Sequence, residues 1–134
     1  MDRVRRRTPL TAPKRVRRLH EAVPDLRLMA CHLGGWERWA EALDEVAGLP
    51  IWLETSMTLG RCPPDLVYRI IDRHPKDRLL FGTDAPWSVQ KNEVEKFLAL
   101  AVPEDLKRRI LWDNALGFLG ESGGAAAGRK NLSQ

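Results

Sequence analysis

Apolar and polar positions alternate between two rhythms along this chain. Val16, Leu19 and Val23 recur at helical spacing, and Pro13 suits a first turn, so a helix is predicted from 13 to about 22, stopped by Pro24. LRLMAC at 26–31 is a short, mostly apolar run that reads as a buried strand. Gly34-Gly35 then turn the chain. Trp36, Trp39, Ala40, Leu43, Val46 and Ala47 return to the helical rhythm, and Gly48 supplies the stop. PIWL at 50–53 opens a second strand ending near Glu54-Thr55-Ser56. Pro63-Pro64 start a helix with the stripe Leu66, Val67, Ile70 and Ile71, closed by His74-Pro75. Arg78 to Gly82 is the third strand. Val94, Phe97, Leu98 and Ala101 mark another helix. Residues 103–120 form two short helical pieces, with Asp113 as N-cap of the second.

Strands that recur about every 25 to 30 residues with helices between them have the length of βαβ units. The predicted fold class is α/β, a parallel sheet with helices packed on it. Such sheets carry their chemistry at the carboxyl ends of the strands.

Charge divides the chain. Residues 1–18 hold eight of the 22 Lys and Arg against one acid, Asp2, and so carry +7; the remaining 14 basic and 17 acidic residues carry −3. The overall +4 therefore belongs to a terminal arm. The organisation expected is a basic flexible arm at 1–12, a folded portion at 13–120 and a small, polar, disordered tail at 121–134. The arm suits nonspecific contact with phosphates, but the acidic folded part shows no basic, aromatic-lined face, which argues against specific nucleic-acid binding. No apolar run is long enough to span a membrane. Two lone cysteines, Cys31 and Cys62, fit a reducing, cytoplasmic setting and read as small buried hydrophobes.

The three strand ends hold the candidate chemistry. The first ends at Cys31-His32-Leu33-Gly34-Gly35, the second at Glu54-Thr55-Ser56, the third at Thr83-Asp84. If the strands are parallel neighbours, His32 and Asp84 share one rim. Imidazole and carboxylate suit a divalent metal and also form the usual proton-transfer pair near neutral pH. Pro86 is expected to keep the backbone extended beyond Asp84. The plainer readings are a turn-forming aspartate and a histidine bonded to backbone. His20 and His74 are expected to be solvated on helices. Gly34-Gly35 lacks the longer glycine fingerprint of a phosphate site.

In combination, LRLMACHLGGW, IWLETS, DRLLFGTDAPW and NALGFLG resemble the amidohydrolase-related family of metal-dependent TIM-barrel hydrolases and decarboxylases, over roughly residues 10 to 120. The resemblance implies a partial (β/α)8 barrel whose three parallel strands are strands six to eight. It implies that His32 is a metal ligand or an acid/base group and that Asp84 binds the metal and moves a proton. It also implies zinc or manganese as cofactor and a small-molecule substrate. Trp36, Thr55, Ser56 and Trp87 are expected near the mouth as pocket wall. The chain departs from the family in having no His-x-His pair, and a full barrel takes about 250 residues. The expectation is the C-terminal part of a barrel: a hydrolase of C–N or C–O bonds or a nonoxidative decarboxylase as a whole, inactive alone. Both sheet edges and the inner sheet face would then lie open, favouring self-association or an upstream half-barrel as partner. The alternative is a non-catalytic βα interaction module.

Overall fold

The computed structural model describes residues 11–120. The basic arm, save Thr11 and Ala12, and the polar tail lie outside the described residues. Ala12 itself is buried, and its carbonyl accepts the N–H groups of Arg15 and Val16, so the folded part includes it.

Helix α1 (Pro13–Ala22) leads into strand β1 (Met29–Ala30), then α2 (Trp39–Glu45), β2 (Trp52–Glu54), α3 (Pro64–Arg73) and β3 (Leu79–Leu80). Helices α4 (Gln90–Leu98), α5 (Glu104–Arg108) and α6 (Asn114–Leu119) complete the chain. The sheet is wholly parallel in the order β1-β2-β3. Met29 pairs with Trp52, Ala30 with Leu53, Leu53 with Leu79 and Glu54 with Leu80. The strands are shorter than predicted, although the Trp52 N–H to Leu28 carbonyl bond and the Thr55 N–H to Leu80 carbonyl bond extend the pairing.

Strand alternation divides the side chains. Leu53 and Leu79 are fully buried in the core with Val46, Ile70, Phe97 and Ile110. Burying a Phe97-sized side chain contributes about 1.5–3 kcal/mol. Trp52, Glu54 and Leu80 belong to the opposite face. There Trp52 meets Phe118 of α6 edge-on at 5.4 Å, and the Arg78 guanidinium lies 5.4 Å over its ring. The expected open inner face is corrected in part: α6 covers Trp52, and Trp52 and Leu80 are buried, while Met29 on the same face is exposed.

One edge is likewise corrected. The outer edge of β3 is met by the chain's own C-terminal segment. The Phe81 N–H donates to the Ile110 carbonyl, and the buried Asn114 amide donates to the carbonyls of Leu79 and Lys76, each at 2.8 Å. No described residue pairs with the outer edge of β1 at Met29.

Helix details differ from expectation. Helix α2 starts at Trp39, because Trp36 and Glu37 form a turn in which Glu37 has φ 54°. Leu19, Val23 and Leu98 are exposed, so the apolar faces of α1 and α4 are narrower than their spacing suggests. Asp113 stands at the N-cap position of α6, but its side chain makes no capping bond. Its backbone is helical, a π-turn at 109–113 joins α5 to α6, and its carboxylate pairs with Arg108 at 3.1 Å.

His74 is buried, not solvated. Its Nδ1 accepts the Gly48 N–H at 3.2 Å and its Nε2–H donates to the Ile51 carbonyl at 2.9 Å. Burial, with help from the charges of Lys76 and Arg78, pushes its pKa down to about 4 against the hydrogen bond to Ile51. His20 is half-buried. Cys62 is buried as expected, whereas Cys31 is exposed.

Candidate functional site

All three strands point the same way, so the residues following them share the carboxyl end of the sheet. His32 stands two residues beyond β1, Glu54 ends β2, and Asp84 stands four residues beyond β3.

The chain turns sharply at His32. His32 and Leu33 have φ 57° and 50°, in the left-handed region that few non-glycine residues enter. Gly34 follows at φ 88°, where a Cβ would come 2.9 Å from Val46 Cγ1, so the tight return of the chain onto the core requires glycine. The His32 N–H donates to Glu54 Oε1 at 2.8 Å, and the Trp39 indole donates to the His32 carbonyl at 3.0 Å. The ring Nδ1 lies 2.8 Å from the Ser56 carbonyl and 3.1 Å from Ser56 Oγ. Nε2 bonds to no described residue. Trp36 meets the His32 ring edge-on at 5.0 Å, and the Arg61 guanidinium stands 5.4 Å over Trp36.

Asp84 is exposed, with φ 58°. Its carbonyl accepts the N–H groups of Trp87 at 2.8 Å and Ser88 at 3.3 Å. The chain therefore turns at once after Asp84, and the extended passage expected of Pro86 does not occur. The Asp84 carboxylate takes part in no hydrogen bond or ion pair among the described residues. Its backbone makes the turn and its side chain stays available.

Glu54 was legible only as a strand end. It is buried between the other two sites, and its Oε2 accepts the Ser56 N–H at 2.8 Å while Oε1 accepts the Ser56 hydroxyl at 2.7 Å. A Cβ at Gly82 would fall on Oε2, so the glycine of FGTD leaves room for this carboxylate. Although Cys31 as a residue is exposed, partial desolvation of its thiol first, then the Glu54 carboxylate and then the Asp84 charge push it up to about 11.

The expected pocket wall is only partly right. Thr55 and Ser56 are buried: Thr55 Oγ1 accepts the Gly82 N–H at 3.3 Å, and Ser56 holds the His32 ring. They knit the strand ends together and do not face solvent. Trp87 is 79% exposed on the turn after Asp84. Trp36 does line a groove of about 340 Å³ with His32, Cys31, Met29, Val16 and Arg15. That groove follows the open edge of β1, and Asp84 does not line it.

His32 and Asp84 thus share a rim without touching. As donors they suit a divalent cation in kind, one imidazole nitrogen and one carboxylate. They fall short in number, since a catalytic site takes three or more protein ligands and among the described residues no three His, Cys, Asp or Glu gather.

Parallel strands, crossover helices and a polar rim at the strands' carboxyl ends define a segment of a (β/α) barrel of the kind that bears enzyme sites. The chain belongs to the amidohydrolase family, which its sequence matches over residues 5–120. No curated protein matches it. Among solved structures it resembles Bb4693, an uncharacterised TIM-barrel protein from Bordetella bronchiseptica, at 28% identity and TM-score 0.69 over 81% of this chain and 39% of that one. A dihydroxybenzoic acid decarboxylase from Polaromonas sp. JS666, solved with manganese and 2-nitroresorcinol, matches at 21% identity and TM-score 0.61 over the same shares. A 2,6-dihydroxybenzoate decarboxylase from Rhizobium matches at 18% identity and TM-score 0.60, over 76% of this chain and 37% of that one. The chain spans about two fifths of the structures it resembles.

Proposed function

We propose that His32 and Asp84 are active-site groups of an amidohydrolase-type barrel acting on a small molecule. The reaction is metal-dependent hydrolysis of a C–N or C–O bond, or nonoxidative decarboxylation. The observation that carries this reading is the difference between each group's bonded and free atoms. His32 has one ring nitrogen bonded and the other free, and Asp84 has a bonded backbone and a free carboxylate, at the same end of a parallel sheet. The Ser56 contact orders the half-buried His32 ring while Nε2 has no partner among the described residues, and the solvent-facing Asp84 carboxylate stands at the same rim, open to a ligand.

Both reactions move a proton at this rim. In hydrolysis the unprotonated Nε2 of His32 takes a proton from the attacking water; in decarboxylation it must first be protonated and then gives that proton to the carbon that loses carbon dioxide. In both, Nδ1 stays on the Ser56 carbonyl and holds the ring still. Asp84 would supply a carboxylate to a bound cation and stands on the same rim, where it can accept a proton. A bound zinc or manganese ion would polarise the substrate carbonyl or carboxylate. The remaining ligands would come from outside the described residues, and without them no metal-dependent activity is expected. Titration calorimetry with manganese and with zinc tests this. Affinity no better than micromolar is expected, weakened further in Asp84→Asn. A stoichiometric metal held through dialysis against chelator would overturn the need for further ligands, and binding indifferent to Asp84→Asn would overturn the assignment of Asp84.

A second reading, as a non-catalytic interaction module, draws on the open edge of β1. Leu19, Val23, Leu26 and Met29 are exposed on α1 and along the approach to that edge. A second copy of the chain, or an upstream half-barrel, would pair there. Sedimentation at micromolar concentration separates the two states of the edge: a concentration-independent monomer would show that nothing pairs with it.

A further inference from the structure

Glu54 is a buried carboxylate, 6% exposed, and no Lys or Arg among the described residues pairs with it. Burying a carboxylate is costly unless its oxygens are bonded. Here every bond comes from residues that follow the strands. Oε1 accepts the His32 N–H at 2.8 Å and the Ser56 hydroxyl at 2.7 Å, and Oε2 accepts the Ser56 N–H at 2.8 Å. On its other side it lies against Gly82, where no side chain fits. One carboxylate therefore touches the ends of all three strands.

Two consequences fall on His32. The first is its backbone. A histidine at φ 57° followed by a leucine at φ 50° is an unfavourable pair, and the bond from the His32 N–H to Glu54 holds it. The second is its ring. A carbonyl oxygen can only accept, so the 2.8 Å contact between Nδ1 and the Ser56 carbonyl places the ring proton on Nδ1. The Ser56 hydroxyl gives its own proton to Glu54, so toward Nδ1, 3.1 Å away, it too presents a lone pair. Glu54 thereby sets the direction of the Ser56 hydroxyl, and Ser56 sets the tautomer of the ring. Nε2 is left without a proton and without a partner among the described residues.

We propose that Glu54, acting through Ser56, is the positioning residue for His32: it fixes both the left-handed turn and the Nδ1–H tautomer that leave Nε2 free. The inference rests on reading His32 as a site residue, but its test does not use activity. Failure of the catalytic reading would leave the tautomer result standing, and the reverse also holds.

The test is nuclear magnetic resonance of the full chain with isotopically labelled histidine, about two pH units above the free-histidine pKa of about 6.5, so that the rings are neutral. The ring nitrogen and Cδ2 shifts report the tautomer of each histidine. Wild-type His32 is expected mostly as Nδ1–H. His74 is an internal control for folding, since its bonds to Ile51 and Gly48 fix it as Nε2–H. In Glu54→Gln the Nδ1–H form of His32 is expected to fall from majority to minority while His74 stays unchanged. Gly82→Ala attacks the same device from the other side, because its new Cβ falls on the Glu54 carboxylate while coming no nearer than ordinary contact, 3.4 Å, to Ser56 Cβ, and the same shift is expected. Ser56→Ala keeps the carbonyl and removes only the hydroxyl, so a partial shift is expected. If Glu54→Gln loses the His74 signature, the other two variants decide. A wild-type His32 in the Nε2–H form, or a His32 that keeps Nδ1–H in the folded variants, overturns the proposal.

Discussion

The two ends of this sheet each hold a histidine, and they are built oppositely. At the amino end His74 is buried with both ring nitrogens bonded, one to Gly48 and one to Ile51. At the carboxyl end His32 is half-buried, and among the described residues only its Nδ1 is bonded. The first ties α3 to the entry of β2 and has no atom left for chemistry. The second has its ring held and one nitrogen spare. Helical spacing suggested the reverse for His74, a solvated group. On the proposed reading, what separates the structural His74 from His32 is which of their atoms are already in use.

The largest expected effect tests that contrast directly. His74→Ala leaves a buried N–H and a buried carbonyl without partners and opens a cavity, so it should cost about 3–5 kcal/mol. Urea unfolding measures it, and a loss under about 1 kcal/mol would put the two histidines in one class.

Acid should reveal the same asymmetry. The folded His74 pKa of about 4 lies below the ordinary 6.5. Between those values the unfolded chain takes up a proton that the folded chain refuses. The His74 contribution is therefore complete above pH 6.5 and is lost as pH falls toward 4, about 3 kcal/mol in all. His74→Gln should flatten stability across that window. A wild-type chain equally stable at both ends of it would mean that the ring is not buried neutral.

The two edges of the sheet differ as the two ends do, and Asn114 marks the difference. Asn114→Ala strips the Leu79 and Lys76 carbonyls of their donor and should cost about 2 kcal/mol. It should also raise self-association in sedimentation, because β3 then offers an open edge like that of β1. The smallest effect belongs to the rim. His32→Ala removes one ring hydrogen bond at a half-exposed site and should cost about 1 kcal/mol or less. A cost matching that of His74→Ala would make His32 a packing residue.

The element order, the parallel sense of the strands and the rim shared by His32 and Asp84 were all legible in the sequence. Each depends on a local signal. Apolar runs of strand length, helical stripes of the kind seen at Val67, Ile70 and Ile71, and glycine or proline at the boundaries need no knowledge of neighbours. Glu54 was not legible as a site residue. Its partners His32 and Ser56 lie 22 positions before it and two after it, and Gly82 follows on a third strand. Nothing in ETS says that the carboxylate turns inward and is bonded there. The same holds for Asn114, read as part of a terminal helix, which reaches back 35 residues to Leu79 to close an edge.

Periodicity reports which face of an element is apolar, because that choice is made residue by residue along the chain. Whether a polar atom is spent on a partner or left for a substrate depends on groups that only folding brings within about 3 Å. Sequence alone determined that a histidine and an aspartate end two parallel strands of a barrel segment. Tertiary structure decided that, among the described residues, His32 Nε2 and the Asp84 carboxylate have no partner, that Asp84 turns the chain with its backbone, and that Glu54 joins the three strand ends.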